Sequence, residues 1–227
     1  MRSNVSSRSR EILGMMAEQR QHLIDELREK GIHDERVLDA LNHVAREQFL
    51  EPVLRHRSYE DNALPIAEGQ TISQPYTVAY QSEKLQLKRN EKVLEIGTGC
   101  GYQTAVLVEM GCRVWTIERH AKLLEIARKN LDHLGYSDRV VSRAGDGTRG
   151  WPDFAPFDAI IVTAGAPDVP ESLVKQLNPN GGRLIIPVGG LDSQTMYLIT
   201  KHGDELKGEE LHDFAFVPLI GKEGWTQ

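Results

Sequence analysis

Three alternating glycines after an apolar segment are the residues of the 227-residue chain whose spacing most clearly indicates chemistry. The apolar segment ends near Glu95, and Gly97, Gly99 and Gly101 follow in the spacing G-x-G-x-G. Glycines at such a turn let the backbone bend tightly and let a ligand approach where a Cβ atom would clash. A dinucleotide fingerprint, G-x-G-x-x-G, would place its third glycine at Tyr102, and no Lys-Ser/Thr pair follows to form a P-loop.

Glu95, the acidic residue ahead of the glycines, restricts the kind of ligand that could bind there. A carboxylate at Glu95 would repel a pyrophosphate but would attract a cofactor that carries ammonium and sulfonium charges. S-adenosylmethionine is the cofactor of that description. An ordinary glycine-rich turn between a strand and a helix is the alternative that this motif leaves open by itself.

Two further acids stand where open α/β sheets bind ligands, at the carboxyl ends of strands. Glu118 ends a predicted strand about 20 residues past the glycine turn, where an adenosine ribose would offer its hydroxyls to a carboxylate. Asp146 lies in a Gly-Asp-Gly turn after another predicted strand and can accept a hydrogen bond from an adenine amino group. Taken singly, Glu118 is also explained as a solvated strand-end charge, and Asp146 as a turn residue.

Composition restricts the function classes. A net charge of −6 and a pI near 5.8 argue against a nucleic-acid partner, for which a basic surface is expected. Cys100 and Cys112 form neither a disulfide framework nor a zinc pattern, and the eight histidines show no ligand spacing, so we expect no metal. The sequence has no secretory signal and no run of roughly 18 apolar residues, so we expect a cytoplasmic protein without a membrane partner.

The order of the predicted elements indicates an α/β fold. Two amphipathic helices within residues 11–44 and an irregular segment at 46–80 precede a regular alternation of helices and strands. We predict helices at 77–87, 101–110, 120–134 and 170–177, and strands at 92–96, 113–117, 139–143, 158–163, 182–188, 194–200 and 211–219. The last two strands follow one another without a helix, which indicates an antiparallel edge. The prediction is a doubly wound, mostly parallel seven-stranded sheet of the Rossmann-like methyltransferase type, with an N-terminal helical appendage.

The same pattern divides the chain into three parts. Residues 1–11 are expected to form a disordered tail, residues 12–80 a helical segment with an active-site loop, and residues 81–227 the cofactor-binding core. We expect the last two parts to form one structural domain. Long segments without regular elements, such as 46–80, are usually functional.

A segment just upstream of the glycines narrows the class. Residues 69–76, with the sequence GQTISQPY, resemble the signature of the protein-L-isoaspartate (D-aspartate) O-methyltransferase family. The resemblance covers roughly residues 12–225 in order, and further matching pieces are DERVL at 34–38, YED at 59–61, LPI at 64–66, GDG at 145–147, APFDAI at 155–160, GGRL at 181–184, PVG at 187–189 and VPL at 217–219. Many methyltransferases share the glycine motif, whereas the TISQP segment is far more specific.

The resemblance implies a repair activity. Enzymes of this family methylate the free α-carboxylate of L-isoaspartyl and D-aspartyl residues in damaged proteins and peptides. The ester then collapses to a succinimide, whose hydrolysis returns some normal aspartate. The resemblance also implies S-adenosylmethionine as cofactor, isoaspartyl proteins as partners and a monomeric enzyme.

The resemblance further implies roles for individual residues. Thr71, Ile72 and Ser73 would close over the cofactor, with Ser73 as the catalytic residue. The other residues predicted to bind the cofactor are Glu95, Gly97, Thr98, Gly99, Gly101, Glu118, Asp146 and Gly147. The three alternating glycines would line its methionine part, Glu118 would hold the ribose, and Asp146 would hold the adenine end.

This chemistry needs no general base, because an α-carboxylate has a pKa of roughly 3 to 4 and is ionised at pH 7. Ser73 is therefore interpreted as a hydrogen-bond donor that orients the carboxylate. Isoaspartate differs from aspartate in the shape of its backbone. We therefore expect the extended segments 62–75 and 211–220 to pair with the substrate backbone as strands do.

Two other functions stay open at this point. A methyltransferase acting on tRNA or on a small molecule would share the cofactor core, although a tRNA enzyme would need a basic face and aromatic stacking positions. A non-catalytic binding module could keep the fold without turnover. The intact glycine turn, Glu118, Asp146 and Ser73 argue against that loss of activity.

Overall fold

The computed structural model describes residues 7–226, with side chains from residue 14 onward. Two short strands, β1 (Leu64–Pro65) and β2 (Thr71–Ile72), form an antiparallel pair of their own. The main sheet consists of β3 (Lys92–Ile96), β4 (Arg113–Glu118), β5 (Val140–Ala144), β6 (Ala159–Val162), β7 (Asn180–Gly189), β8 (Gln194–His202) and β9 (Glu205–Phe214).

The main sheet has the order β5-β4-β3-β6-β7-β8-β9. The first five strands in this order are parallel, whereas β7, β8 and β9 pair antiparallel. The central strands are buried on both faces, as β6 is along its whole length, which explains their continuous apolar sequences. The predicted doubly wound sheet with an antiparallel C-terminal edge is confirmed.

The helices follow the predicted alternation with small shifts of their ends. They are α1 (Ser7–Glu29), α2 (Glu35–His43), α3 (Pro75–Lys84), α4 (Tyr102–Glu109), α5 (Ala121–His133) and α6 (Glu171–Lys175). α3 begins at Pro75, before the predicted position 77, because proline suits the first turn of a helix. None of the helices in residues 7–226 combines the length and the apolar character needed to cross a membrane.

The segment before α3 is more ordered than the sequence indicates. It contains the 3₁₀ helices Arg46–Phe49 and Pro52–Arg57, and a third turn at Ala67–Gly69 between β1 and β2. At the other end, α1 begins at Ser7, inside the segment that we predicted to be a tail, and residues 1–6 lie outside the described part of the chain.

β9 is the strand whose bounds differ most from the prediction. We expected it at 211–219, but it covers Glu205–Phe214 and pairs with β8. As an edge strand it is largely exposed and polar, so its sequence lacks the apolar alternation on which the prediction depended. Residues 215–220 leave the sheet, and Pro218 bridges to Gly165, beyond the end of β6.

The core lies on the two faces of the main sheet. Adjacent residues of β3 separate between the faces, with Val93 in one buried cluster and Leu94 in the other. The cluster around Val93 also contains Leu27 of α1 and Leu38 of α2, which are fully buried. Burying one such side chain stabilises the fold by roughly 1.5–3 kcal/mol. The N-terminal helices therefore share a core with the sheet.

Candidate functional site

A cleft with an empty volume of about 810 Å³ opens at the carboxyl ends of β3, β4 and β6. Its lining comes from five segments, residues 70–73, 96–100, 117–119, 163–164 and 217–220, together with a few residues of α3, α4 and α5. The carboxyl ends of these three parallel strands therefore meet at one site, as in other open α/β sheets.

The glycine turn after β3 passes between the ends of the two neighbouring strands. The backbone N–H of Gly97 donates to the carbonyl oxygen of Ile117, and the Thr163 hydroxyl donates to that of Gly97 at 2.8 Å. Gly97 has a φ of +97°, and a Cβ atom there would collide with Oγ1 of Thr163. Only glycine satisfies both the left-handed backbone and the lack of space.

The structure brings together most of the residues predicted to bind the cofactor. Those that line the cleft are Thr71, Ile72, Ser73, Gly97, Thr98, Gly99, Glu118 and Gly147. Glu95, Gly101 and Asp146 lie outside the lining. A Cβ atom on Gly101 would meet Leu131 and Ala127, so this glycine packs against α5. Direct contacts with the cofactor stay predictions for all of the residues named here.

The carboxylate of Glu118 joins the glycine turn to the start of α5. One oxygen accepts from the backbone N–H of Gly99 at 2.9 Å, and the other accepts from that of His120 at 3.0 Å. Glu118 is 5% exposed and borders the cleft. A carboxylate can accept about four hydrogen bonds, so lone pairs are left for two hydroxyls of a ligand.

We expect Glu118→Gln to raise the dissociation constant for S-adenosylmethionine roughly 10- to 100-fold, the range for hydrogen bonds to a charged group. The amide nitrogen would face one of two backbone donors and could accept from neither ligand nor turn. Calorimetric titration measures the constant, with the exposed Glu125→Gln as matched control. An unchanged affinity would contradict the ribose role.

Glu95 is completely buried behind the turn. One carboxyl oxygen accepts from the hydroxyl of Thr104 at 2.5 Å, and the other has no partner among the described residues. Burial raises the pKa of Glu95 to about 8, although the hydrogen bond from Thr104 favours the ionised form. Glu95 is thus mainly protonated at pH 7 in the ligand-free protein. An ammonium group approaching it would favour ionisation.

The raised pKa of Glu95 makes stability depend on pH. Between the ordinary value of 4.5 and about 8, the unfolded chain releases this proton while the folded chain keeps it, so the fold loses stability as pH rises. Because Glu95→Gln cannot ionise, its melting temperature should increase relative to that of the wild type between about pH 5 and 8. Thermal denaturation at both pH values, with Glu205→Gln on β9 as control, measures this difference. A constant difference would refute a neutral Glu95.

The active-site segment around Ser73 is held from two sides. The carboxylate of Asp61 accepts from the backbone N–H of Tyr76 at 2.7 Å and from the side chain of Gln74 at 3.0 Å, which caps α3 from a distant part of the chain. On the other side, the guanidinium of Arg46 donates to the carbonyl oxygen of Ser73 at 3.1 Å. The backbone of Ser73 is thus fixed before any substrate binds.

Residues 221–225 form a C-terminal clasp behind the wall 217–220. The carboxylate of Asp146 accepts from the backbone N–H of Lys222 and from both donors of Thr148. Burial alone would raise the pKa of Asp146, but these hydrogen bonds lower it. The clasp continues with Glu223, which accepts from Ser172, and with Trp225, whose indole donates to Gly165. In this structure Asp146 thus binds protein backbone at the place predicted for adenine.

We expect Glu223→Ala to loosen the clasp and to raise the dissociation constant for S-adenosylhomocysteine about 5-fold or more, because it removes two hydrogen bonds. The wall 217–220 and Gly147 border the same part of the cleft. Titration of the intrinsic fluorescence, to which Trp225 contributes with the two other tryptophans, measures the constant. The neighbouring Glu171→Ala, which removes only a surface ion pair with Lys175, is the control. Equal affinities of the two variants would show that the clasp does not shape the site.

Both cysteines are buried thiols. Cys100 belongs to the turn itself, and burial raises its pKa to about 11. Cys112 lies just before β4, and burial raises its pKa to about 12. Neither thiol is therefore available as a nucleophile at neutral pH. Within residues 7–226, no three His, Cys, Asp or Glu side chains meet as metal ligands would.

Several residues of the site were missed by the sequence analysis. Thr163 and Ala164 follow β6 and could have been found by the strand-end rule that identified Glu118. Asp61 lies in one of the motifs that we noted, although no role was assigned to it. The wall 217–220 was expected to be strand, and nothing local marks Arg46.

The sheet order, the glycine turn and the acid after β4 define a class I S-adenosylmethionine-dependent methyltransferase. The model of the protein-L-isoaspartate(D-aspartate) O-methyltransferase family matches residues 18–224. The chain belongs to this family.

Individual relatives and solved structures agree with this placement. Protein-L-isoaspartate O-methyltransferases of Salinibacter ruber and Chlorobaculum tepidum are 54% and 53% identical, over 90% and 93% of this chain and 93% and 98% of their own. A solved protein-L-isoaspartate O-methyltransferase is 34% identical, with a TM-score of 0.80 over 90% of this chain and 67% of that chain. A solved structure from Plasmodium falciparum, in complex with S-adenosyl-L-homocysteine, has a TM-score of 0.77 at 28% identity, over 88% and 98%.

Proposed function

We propose that this enzyme transfers a methyl group from S-adenosylmethionine to the free α-carboxylate of L-isoaspartyl and D-aspartyl residues in damaged proteins. The resulting ester would collapse to a succinimide and start repair. One observation carries the proposal. The segment that bears the family's serine, Ser73, borders the same cleft as the glycine turn and Glu118.

The cleft fits the cofactor in shape and in polarity. The close approach at Gly97 leaves backbone accessible to a ligand, and Glu118 keeps lone pairs for two hydroxyls. Ile117 and Leu123 add apolar surface for a flat ring. We propose that the turn holds the methionine part, that Glu118 holds the ribose and that Gly147, with Asp146 behind it, borders the adenine.

The residues of the chain act by positioning and by excluding water. When bound, S-adenosylmethionine supplies an electrophilic methyl group on a positively charged sulfur. The substrate carboxylate is already ionised at neutral pH, so no residue needs to remove a proton. Ser73 would donate a hydrogen bond to one carboxylate oxygen and aim the other at the methyl carbon. Alignment of this kind can lower a barrier by up to about 7–11 kcal/mol.

We propose a monomer, as the resemblance to the family implies, and an enzyme that acts in the cytoplasm, where the two free thiols would stay reduced. A tRNA substrate would be favoured by basic residues around the site. Among the described residues that line the cleft, the charged ones are Glu118 and Arg119, which balance each other. We therefore retain the protein substrate and propose no nucleic-acid partner.

The test uses labelled S-adenosylmethionine and two peptides that differ only in isoaspartate or aspartate at one position. We expect a base-labile ester on the isoaspartyl peptide alone. Ser73→Ala should lower kcat on the order of 100-fold, as loss of an orienting donor does, with little change in cofactor affinity. Ser137→Ala, an exposed serine far along the chain, is the control.

Two outcomes would count against the proposal. If neither peptide is labelled although the cofactor binds, the substrate assignment fails, and tRNA and small molecules become the next candidates. If Ser73→Ala turns over like Ser137→Ala, the role of Ser73 fails while the activity itself stands.

A further inference from the structure

Arg46 is the largest of the fully buried side chains in the described part of the protein, with 0% exposure. It begins the 3₁₀ helix Arg46–Phe49. Its described hydrogen bonds all go to backbone carbonyl oxygens, those of Ser58, Asn62 and Ser73. One planar group therefore ties together three points of the segment that leads to the active site.

The guanidinium of Arg46 forms no ion pair with a carboxylate among the described side chains, although Asp61 is close enough to attract it. Its guanidinium carbon lies 5.6 Å from the centre of the Tyr102 ring, and Nε has no described hydrogen-bond partner. Burial lowers the pKa of Arg46, yet a guanidinium stays protonated in proteins. A buried cation held by carbonyl dipoles and a ring, with the carboxylate of Asp61 near it but not paired to it, is costly for the fold, so its presence calls for an explanation in function.

The position of this charge supplies that explanation. The guanidinium donates to the backbone of Ser73 and lies over the ring of Tyr102, and both of these residues border the cleft. The chain carries a net charge of −6, and Glu118 places a carboxylate in the lining of the same cleft. An anionic substrate needs a local positive potential to enter. A charge in a low-dielectric interior acts over a longer distance than one in water.

Arg46 forms a hydrogen bond with Ser73 itself, whereas Asp61, which also holds this segment, does not. Asp61 holds Gln74 and Tyr76, which follow Ser73 in the chain. Arg46 holds the carbonyl group of Ser73 itself. Loss of this hydrogen bond would free the peptide unit of Ser73 while leaving the start of α3 capped.

We propose that Arg46 is a positioning residue that fixes the backbone of Ser73 and whose buried positive charge draws the α-carboxylate of the substrate into the cleft. The inference rests on the proposed function, because it requires an anionic substrate. It extends that function to a residue outside the glycine turn and outside the segment 69–76.

Two substitutions separate the charge from the hydrogen bonds. Arg46→Lys keeps the charge, but a compact ammonium cannot span three carbonyl groups as the planar guanidinium does. We expect its KM for an isoaspartyl peptide to stay within about threefold of wild type, and its kcat to fall about tenfold through loss of alignment. Arg46→Met removes both features, and its peptide KM should rise roughly 10- to 100-fold. Binding of S-adenosylhomocysteine should be retained by both variants, since Arg46 lies outside the cleft lining.

Arg20 provides a matched control. Its guanidinium also lies over a tyrosine ring, 5.2 Å from the centre of Tyr59, but it is paired with Glu47 at 3.6 Å. Arg20 does not border the cleft. Arg20→Lys should therefore change neither the peptide KM nor kcat, which separates the role of Arg46 from a general effect of losing a partly buried guanidinium that lies over a ring.

Steady-state kinetics, calorimetry with S-adenosylhomocysteine and circular dichroism decide between the outcomes. A higher peptide KM in Arg46→Met than in Arg46→Lys, with retained S-adenosylhomocysteine binding, supports the attraction by charge; equal values overturn it. A kcat for Arg46→Lys equal to that of wild type overturns the positioning of Ser73. Loss of S-adenosylhomocysteine affinity in parallel with activity also overturns the proposal, because it indicates a purely structural residue.

The result stays interpretable if Arg46→Met does not fold. In that case Arg46→Lys decides alone, because a near-normal peptide KM with a lower kcat supports the proposal, and a raised KM with normal kcat overturns it. The wild-type enzyme is assayed first on the isoaspartyl peptide. Failure at that step is a failure of the proposed function and is distinct from a failure of the inference about Arg46.

Discussion

The close approach of Gly97 to Thr163 is the constraint on which the site depends. β3 lies between β4 and β6, so the chain that leaves it must turn between the ends of both neighbours. The turn is bound to Ile117 on one side and to Thr163 on the other. A side chain at position 97 would separate these strands. The space in which a ligand can approach backbone is therefore a direct result of how tightly the three strands converge.

Charge is distributed around this turn in a way that suits a reaction between a cation and an anion. Glu95, behind the turn, is mainly neutral at pH 7 because it is buried. Glu118, in front of it, receives two backbone N–H groups, whereas Arg46 lies against carbonyl groups on the side of Ser73. Under the proposed function, Glu118 would face the positively charged cofactor and Arg46 would lie on the side of the anionic substrate, so fixed dipoles would stabilise both charges in place of mobile water.

Local patterns in the sequence predicted the sheet, because each buried parallel strand is a short apolar run that ends in a turn. The rule that ligands bind at strand ends also identified Glu118, because the apolar residues just before it predict a strand that ends there. Arg46 and Asp61 could not be assigned in this way, since their partners lie 27 and 15 residues away. The polar sequence of β9 and the return of 217–225 to the cleft were missed for the same reason. Both depend on contacts between distant parts of the chain, which the local periodicity of apolar residues does not reveal.

The two buried cysteines have a practical consequence. Burial raises the pKa of the Cys100 thiol to about 11, so little of it is thiolate at neutral pH, and we expect its alkylation to be faster when the turn opens. Cys112, just before β4, is completely buried, and we expect it to react only when the core separates. The native protein therefore carries two intrinsic labels, one that reports opening of the cofactor turn and one that reports unfolding of the sheet, and the ratio of their labelling rates separates the two motions.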